Sequence, residues 1–182
     1  MSGRVALGFA AAAVLLVASA CSSGRGIGDP AKLVLTPADV DAAADEESGP
    51  ADLLDEAPAE LRAALLPKPG RLDWRAYEVD FRRLGIASLA VTVREQKMAE
   101  DLVDVAPSLA RFSGMTHARP AGRATGFGDE GVLMHGTVLT PSGQVRTGGA
   151  VVWRRSRAVG VIVAQTLDDA ERFAAIQAKK TP

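Results

Sequence analysis

Between positions 132 and 165 the chain holds three strand-length apolar runs, "VLMHGTVLT", "VRTGGAVVWR" and "AVGVIVAQ". They are separated only by turns at Pro141-Ser142-Gly143 and Arg155-Ser156-Arg157. A parallel crossover needs a dozen or more residues, so turns this short predict antiparallel pairing of successive strands. Two earlier runs fit the same sheet. "WRAYEVDF" alternates, with Tyr77, Val79 and Phe81 on one face, and "ASLAVTVR" alternates through Leu89, Val91 and Val93.

The period changes in "EQKMAEDLVDVAPSLARF". Met98, Leu102, Val105, Leu109 and Phe112 recur every three or four residues, a helical stripe, and Pro107 is expected to kink or break it. "GMTHARPAGRATGFGDEG" reads as a long loop. "LDDAERFAAIQAKK" reads as a last helix, capped by Thr166 or Asp168, with Phe173 and Ile176 inward and Lys179 and Lys180 at its negative end. The fold class is α+β: an antiparallel sheet of about five strands with the two longer helices on one face. This domain is assigned to 61–182, its sheet beginning near Leu72.

Positions 21–60 differ in composition. "SSGRGIGDP" is rich in small and turn residues. Acids then accumulate from Asp39 to Glu60, with no base between Lys32 and Arg62. Such a segment is expected to stay solvated as an acidic tether, or to serve as a docking strip for a basic partner. Two short helices are expected within and after it. "LTPADVDAAA" offers Thr36 as N-cap, Pro37 at the first helical position and Asp39 three after the cap. "APAELRAALL" offers Leu61, Leu65 and Leu66 as an apolar edge.

The first twenty positions carry Arg4, then an uncharged apolar run, then Ala18-Ser19-Ala20. This order predicts a secretory signal peptide over 1–20. The uncharged stretch falls short of the roughly 20 residues that a permanent span requires. The only cysteine in the chain follows at once, as Cys21. Val17-Ala18-Ser19-Ala20-Cys21 resembles the lipobox of bacterial lipoproteins, with alanine at 18 where leucine is commonest. The resemblance implies a diacylglyceryl thioether on Cys21 and cleavage before it. Ordinary signal peptidase cleavage after Ala20 is the alternative. Two acyl chains suffice for stable membrane residence. The motifs "LTPADV", "GFGDEG" and "DDAERFAAIQ" resemble those of extracytoplasmic domains of actinobacterial lipoproteins of unknown function, and more loosely the sensor domains of bacterial receptor kinases.

Net charge is −1, which gives no electrostatic footprint for nucleic acid. His117 and His135 are the only histidines, too few for a zinc set, so neither a metal nor another cofactor is expected. Asp129-Glu130 reads as a turn that starts a strand. Ser113 lies near His117 in sequence but has no nucleophile-elbow glycines. No catalytic residues are assigned. Arg146, Arg154, Arg155 and Arg157 cluster around the last hairpin, either as a patch for anionic polymer or lipid headgroups or as a solvated turn. The expectation is a lipid-anchored, non-catalytic binding or interaction module on the extracytoplasmic face of the cell membrane. Its partner is an envelope protein, a small molecule or a lipid. The alternatives are an envelope-acting hydrolase and an adaptor for a membrane protein.

Overall fold

The computed structural model describes residues 27–40, 46–55, 57–66 and 73–181. The expected signal peptide and Cys21 lie outside them. One antiparallel sheet of seven strands runs through the molecule: β1 (Glu47–Pro50), β2 (Trp74–Phe81), β3 (Ile86–Val93), β4 (Thr116–Arg123), β5 (Glu130–Leu139), β6 (Val145–Arg155) and β7 (Ala158–Ala164). Their spatial order is β1-β2-β3-β7-β6-β5-β4. The helices are α1 (Pro37–Val40), α2 (Ala59–Leu65), α3 (Gln96–Asp104), α4 (Ala106–Phe112) and α5 (Leu167–Lys179), with a 3-10 turn at Pro30–Lys32. Among the described residues no helix is long and apolar enough to cross a membrane.

The fold is α+β, as the turn lengths require, with seven strands where about five were expected. The five expected strands are β2, β3, β5, β6 and β7. The two additions are the sheet edges. β1 is four residues long, mostly exposed, and ends on Pro50. β4 occupies the segment read as a loop. It is exposed along nearly its whole length, contains Pro120, and pairs with β5 through two register shifts. Short length, proline and irregular pairing all discourage a further chain from adding to an edge. They also remove the apolar alternation by which a strand is recognised.

Helices cover both faces of the sheet, not one. On the first face α2, α3 and α4 pack on Leu89, Val91, Val159 and Val161. On the second, α5 and the segment from Leu33 to Val40 pack on Ala90, Val151, Trp153 and Ile162. Every residue of β7 is buried, as expected of a strand covered on both sides. Its second parity is hidden in the sequence because Ala158, Gly160 and Ala164 are small. Small size is the requirement there. A Cβ on Gly160 would lie 2.3 Å from the Trp153 indole, and one on Gly149 would lie 2.3 Å from the Leu167 backbone at the start of α5. Two predicted helix boundaries hold, whereas Leu66, expected on the apolar edge of α2, lies beyond it and is exposed, and 41–44 of the helix expected from Pro37 lie outside the described residues. The stripe breaks at Val105 with Pro107 in the first turn of α4, and Thr166 caps α5 by accepting from the Asp169 N–H.

The segment expected to be a solvated spacer is folded wherever it is described. Leu33, Val34, Leu35 and Val40 are buried in the second core, and Leu53 and Ala57 in the first. A buried leucine or valine contributes about 1.5–3 kcal/mol over an exposed one. Four of the described acids find partners: Asp39 pairs with Lys180, Glu47 with Arg82 and Glu60 with Arg111, while Asp52 accepts from the Leu54 and Asp55 N–H groups of its own turn. Folded structure is therefore already present among the described residues from Ile27 on, well before 61.

A buried polar chain ties the second face together. Gln177 on α5 is fully buried. Its Oε1 accepts from Trp153 Nε1 at 3.0 Å, and its Nε2 donates to the Leu89 carbonyl at 3.0 Å and to Ser88 Oγ at 3.2 Å. Ser88 Oγ also accepts from the Leu35 N–H at 3.0 Å. Removing the amide orphans several buried polar groups at once, each costing about 1–3 kcal/mol. Gln177→Leu is expected to lower unfolding free energy by about 2–4 kcal/mol in urea titration. A loss under about 0.5 kcal/mol would contradict the assignment of this chain as a structural tie.

Candidate functional site

The two-residue turn between β6 and β7 holds Ser156 in the left-handed region, φ 52°. Its N–H donates to Asp129 Oδ2 at 2.6 Å. Arg154, just before the turn, is buried, with Asp129 at 3.4 Å and Glu130 at 3.5 Å from its guanidinium. Asp129 and Glu130 thus neutralise a buried base and start β5, consistent with their reading as a turn. Arg155 reaches under α5 and donates to the carbonyls of Ala178 at 3.0 Å and Thr181 at 3.2 Å, closing the helix's negative end. Arg157 donates to the Arg94 carbonyl at 3.3 Å.

The four expected arginines are not one patch. Arg146 lies eight residues back along β6, roughly 26 Å away at strand rise, and donates to Gln144. Arg154 is an internal ion-pair member. Arg155 and Arg157 alone line a common space, and two lysines join them that sequence reasoning did not assign to a site. Lys32 ends the 3-10 turn. Lys180 follows α5, and its Nζ donates to the Val34 carbonyl at 2.8 Å and to Asp39 Oδ2 at 2.5 Å. Lys32 and Lys180 are brought together by the N-terminal segment docking beside α5, and nothing local in the sequence announces that contact.

These residues surround a cleft of about 550 Å³ at the end of the sheet, walled also by Gly28, Thr92 and Thr181. Four cationic side chains face one carboxylate, Asp29, among the residues that line it. Thr181 is 8% exposed, and its buried Oγ1 has no hydrogen-bond partner among the described residues. A concave pocket lined by cationic side chains suits a compact anion such as a phosphate group.

The remaining candidates stand apart. His117 is exposed on β4, in the left-handed region at φ 53°, and His135 is exposed on β5, cross-strand from Arg119. Among the described residues no three histidine, cysteine or carboxylate side chains are placed to hold a metal. Ser113, at the end of α4, has no hydrogen bond to His117.

Asp39, outside the cleft lining, pairs with Lys180 of its wall. Burial pushes its carboxyl up, but hydrogen bonds from Lys180 and Thr36 outweigh that and hold it below its ordinary value of 3.8. A depressed carboxyl stabilises the fold fully above its unfolded pKa and loses that contribution as pH falls through the folded one. Wild-type stability is therefore expected to drop between about pH 5 and pH 2 by more than that of Asp39→Asn, which should already be about 1.5 kcal/mol weaker at pH 7. Parallel pH dependences of the two urea midpoints would contradict this role.

A scan with protein-family models gives no match to the chain, and neither curated proteins nor solved structures match it.

Proposed function

We propose that the chain is a lipid-anchored, non-catalytic binding module on the extracytoplasmic face of the cell membrane, resting with its basic cleft on anionic lipid headgroups. The observation that carries this reading is that the chain is already folded by Ile27. Ile27 is six positions after Cys21, a reach of at most about 20 Å even when fully extended. A diacylglyceryl group on Cys21 would hold the Ile27–Lys32 wall of the cleft within that distance of the bilayer. The long spacer inferred from composition would have left orientation free, whereas a connection of at most five residues between Cys21 and Ile27 restricts it.

Charge favours the same posture. Lys32, Arg155, Arg157 and Lys180 lie at this end of the sheet. Each basic residue near an anionic surface adds about 1 kcal/mol of attraction, falling off within a Debye length of about 8–10 Å. The headgroup phosphate is the anion that the cleft's cations accommodate.

Two measurements test the reading. Mass spectrometry of the mature N-terminal peptide is expected to show Cys21 as its first residue, carrying diacylglycerol. An uncleaved peptide, or an unmodified one starting at Cys21, would contradict the anchor. With the anchored protein in vesicles, Lys32 should react with an amine-directed acylating reagent at least fivefold more slowly on phosphatidylglycerol than on phosphatidylcholine at low salt. Equal rates on the two lipids would contradict the orientation.

A further inference from the structure

The two faces of the sheet are not covered to the same extent. On the first face α4 packs on β4, β5 and β6. On the second, α5 packs chiefly on β6 and β7, and the 3-10 turn packs on β2 and β3. The second face of β4 and of the adjoining ends of β5 and β6 is left open. Register shows what it presents. Leu133 packs in the second core with Val151 opposite it. The β5–β6 pairing runs without a bulge, so His135, Thr137 and Leu139 share that face with Thr147 and Val145. Strand β4 adds Thr116 opposite Thr137 and Arg119 opposite His135. The Thr116 and Thr137 hydroxyls lie 2.7 Å apart.

This open area is apolar at its tip. Leu139 is 65% exposed and Val145 70%, and the two are cross-strand neighbours. Among the described residues Leu66 is the one other large hydrophobic side chain so exposed. Paired exposure of this kind leaves apolar surface for a partner to bury. The strands around the tip are basic. From Gly114 to Gln165 the only acids are Asp129 and Glu130, and both are engaged by the buried Arg154. Arg119, Arg123 and Arg146 are exposed and have no carboxylate partner among the described residues. Arg119 lies on the open face, while Arg123 and Arg146, on the other parity of β4 and β6, stand at its margins. A net charge of −1 for the whole chain therefore conceals a region of uncompensated positive charge.

Size and chemistry limit the occupant. Three strands about 4.8 Å apart, each open for about five residues, offer roughly 14 Å by 17 Å. That is far below the roughly 800 Å² that each partner gives to a stable dimer, so it suits one polypeptide segment better than a second copy. Insertion into a bilayer is disfavoured by the row Thr116, Thr137 and Thr147, whose hydroxyls would be costly to bury in hydrocarbon. We propose that the open second face of β4, β5 and β6 docks an acidic segment of an envelope protein. An apolar side chain of the segment seats on Leu139 and Val145. Its polar groups meet the threonine row, and its carboxylates lie against Arg119 and the flanking Arg123 and Arg146. That the partner belongs to the envelope rests on the anchored reading; the surface itself rests on the folded sheet alone, so either can fail while the other stands.

The probe is a capped peptide of three Glu-Leu-Asp-Gly repeats. A Lys-Leu-Lys-Gly counterpart reverses its charge, and a Glu-Ser-Asp-Gly counterpart removes its apolar side chain. Each is titrated into the full-length chain in nonionic detergent and followed by amide chemical shifts. The first peptide is expected to saturate, with the largest shifts at Thr137, Val145 and Thr147, and the counterparts are expected to leave those amides unmoved. Leu139→Ser should weaken binding about fivefold through lost apolar contact. Arg119→Glu should weaken it about threefold, and added salt should weaken the wild-type complex. Both side chains are exposed, so neither substitution is expected to shift the urea midpoint. Absence of saturable binding, equal shifts from either counterpart, or unchanged affinity in either variant would overturn the proposal. So would shifts centred on Arg155, Ser156 and Arg157, which place the peptide in the basic cleft. Protection of Val145 and Thr147 by phosphatidylglycerol bicelles alone would give the face to lipid, and concentration-dependent shifts without peptide would give it to a second copy; each result contradicts the proposal.

Discussion

The hydrogen bonds around Gln177 hold together everything the second face contributes. One buried amide receives the Trp153 indole from β6 and donates to β3 through Leu89 and Ser88. Through Ser88 it also fixes the backbone of Leu35. Helix α5 and the N-terminal segment are therefore locked to the same strands by the same polar group. A satisfied buried network specifies one arrangement because any other leaves its members unpaired. Gly160 gives the Trp153 ring the room to reach that network, and Gly149 lets the start of α5 approach the sheet.

The two docked elements make the molecule's ends unlike. Where α5 finishes and the N-terminal segment begins, Lys32 and Lys180 meet Arg155 and Arg157 around one cleft. At the other end of the same strands, Glu47, Glu78 and Asp80 border a cleft whose far wall is apolar. Attraction to an anionic surface at the first end and repulsion at the second act in the same direction. In the proposed setting the basic end lies on the bilayer, and the acidic cleft opens into the envelope some seven strand residues away, roughly 23 Å.

What the sequence disclosed depended on whether the signal was local. The β5–β6–β7 meander was legible because its turns are short. The break between α3 and α4 was legible because Pro107 interrupts a stripe, and the start of α5 because Thr166 is followed by acids. Strand β4 was missed because an edge strand exposed on both sides has no apolar face to repeat. The second core was missed because its share of β7 is mostly alanine and glycine. The acidic stretch misled for a different reason. Composition counts its charges, but Lys180, Arg82 and Arg111, which compensate Asp39, Glu47 and Glu60, come from distant parts of the chain. Of the four arginines proposed as a patch, two line the basic cleft. The others serve an internal ion pair and the far end of β6, a division visible only once strand length is known.

Amide hydrogen exchange of the full-length chain tests the central claim most directly, because the short connection to Cys21 depends on the N-terminal segment being folded. The account predicts that the Leu33 and Leu35 amides exchange slowly, the Leu35 amide with protection comparable to the centre of β3, and that Ser88→Ala accelerates Leu35 selectively. Exchange of residues 27–40 at unprotected rates, while β3 and β7 remain protected, would return that segment to a free tether and contradict the account.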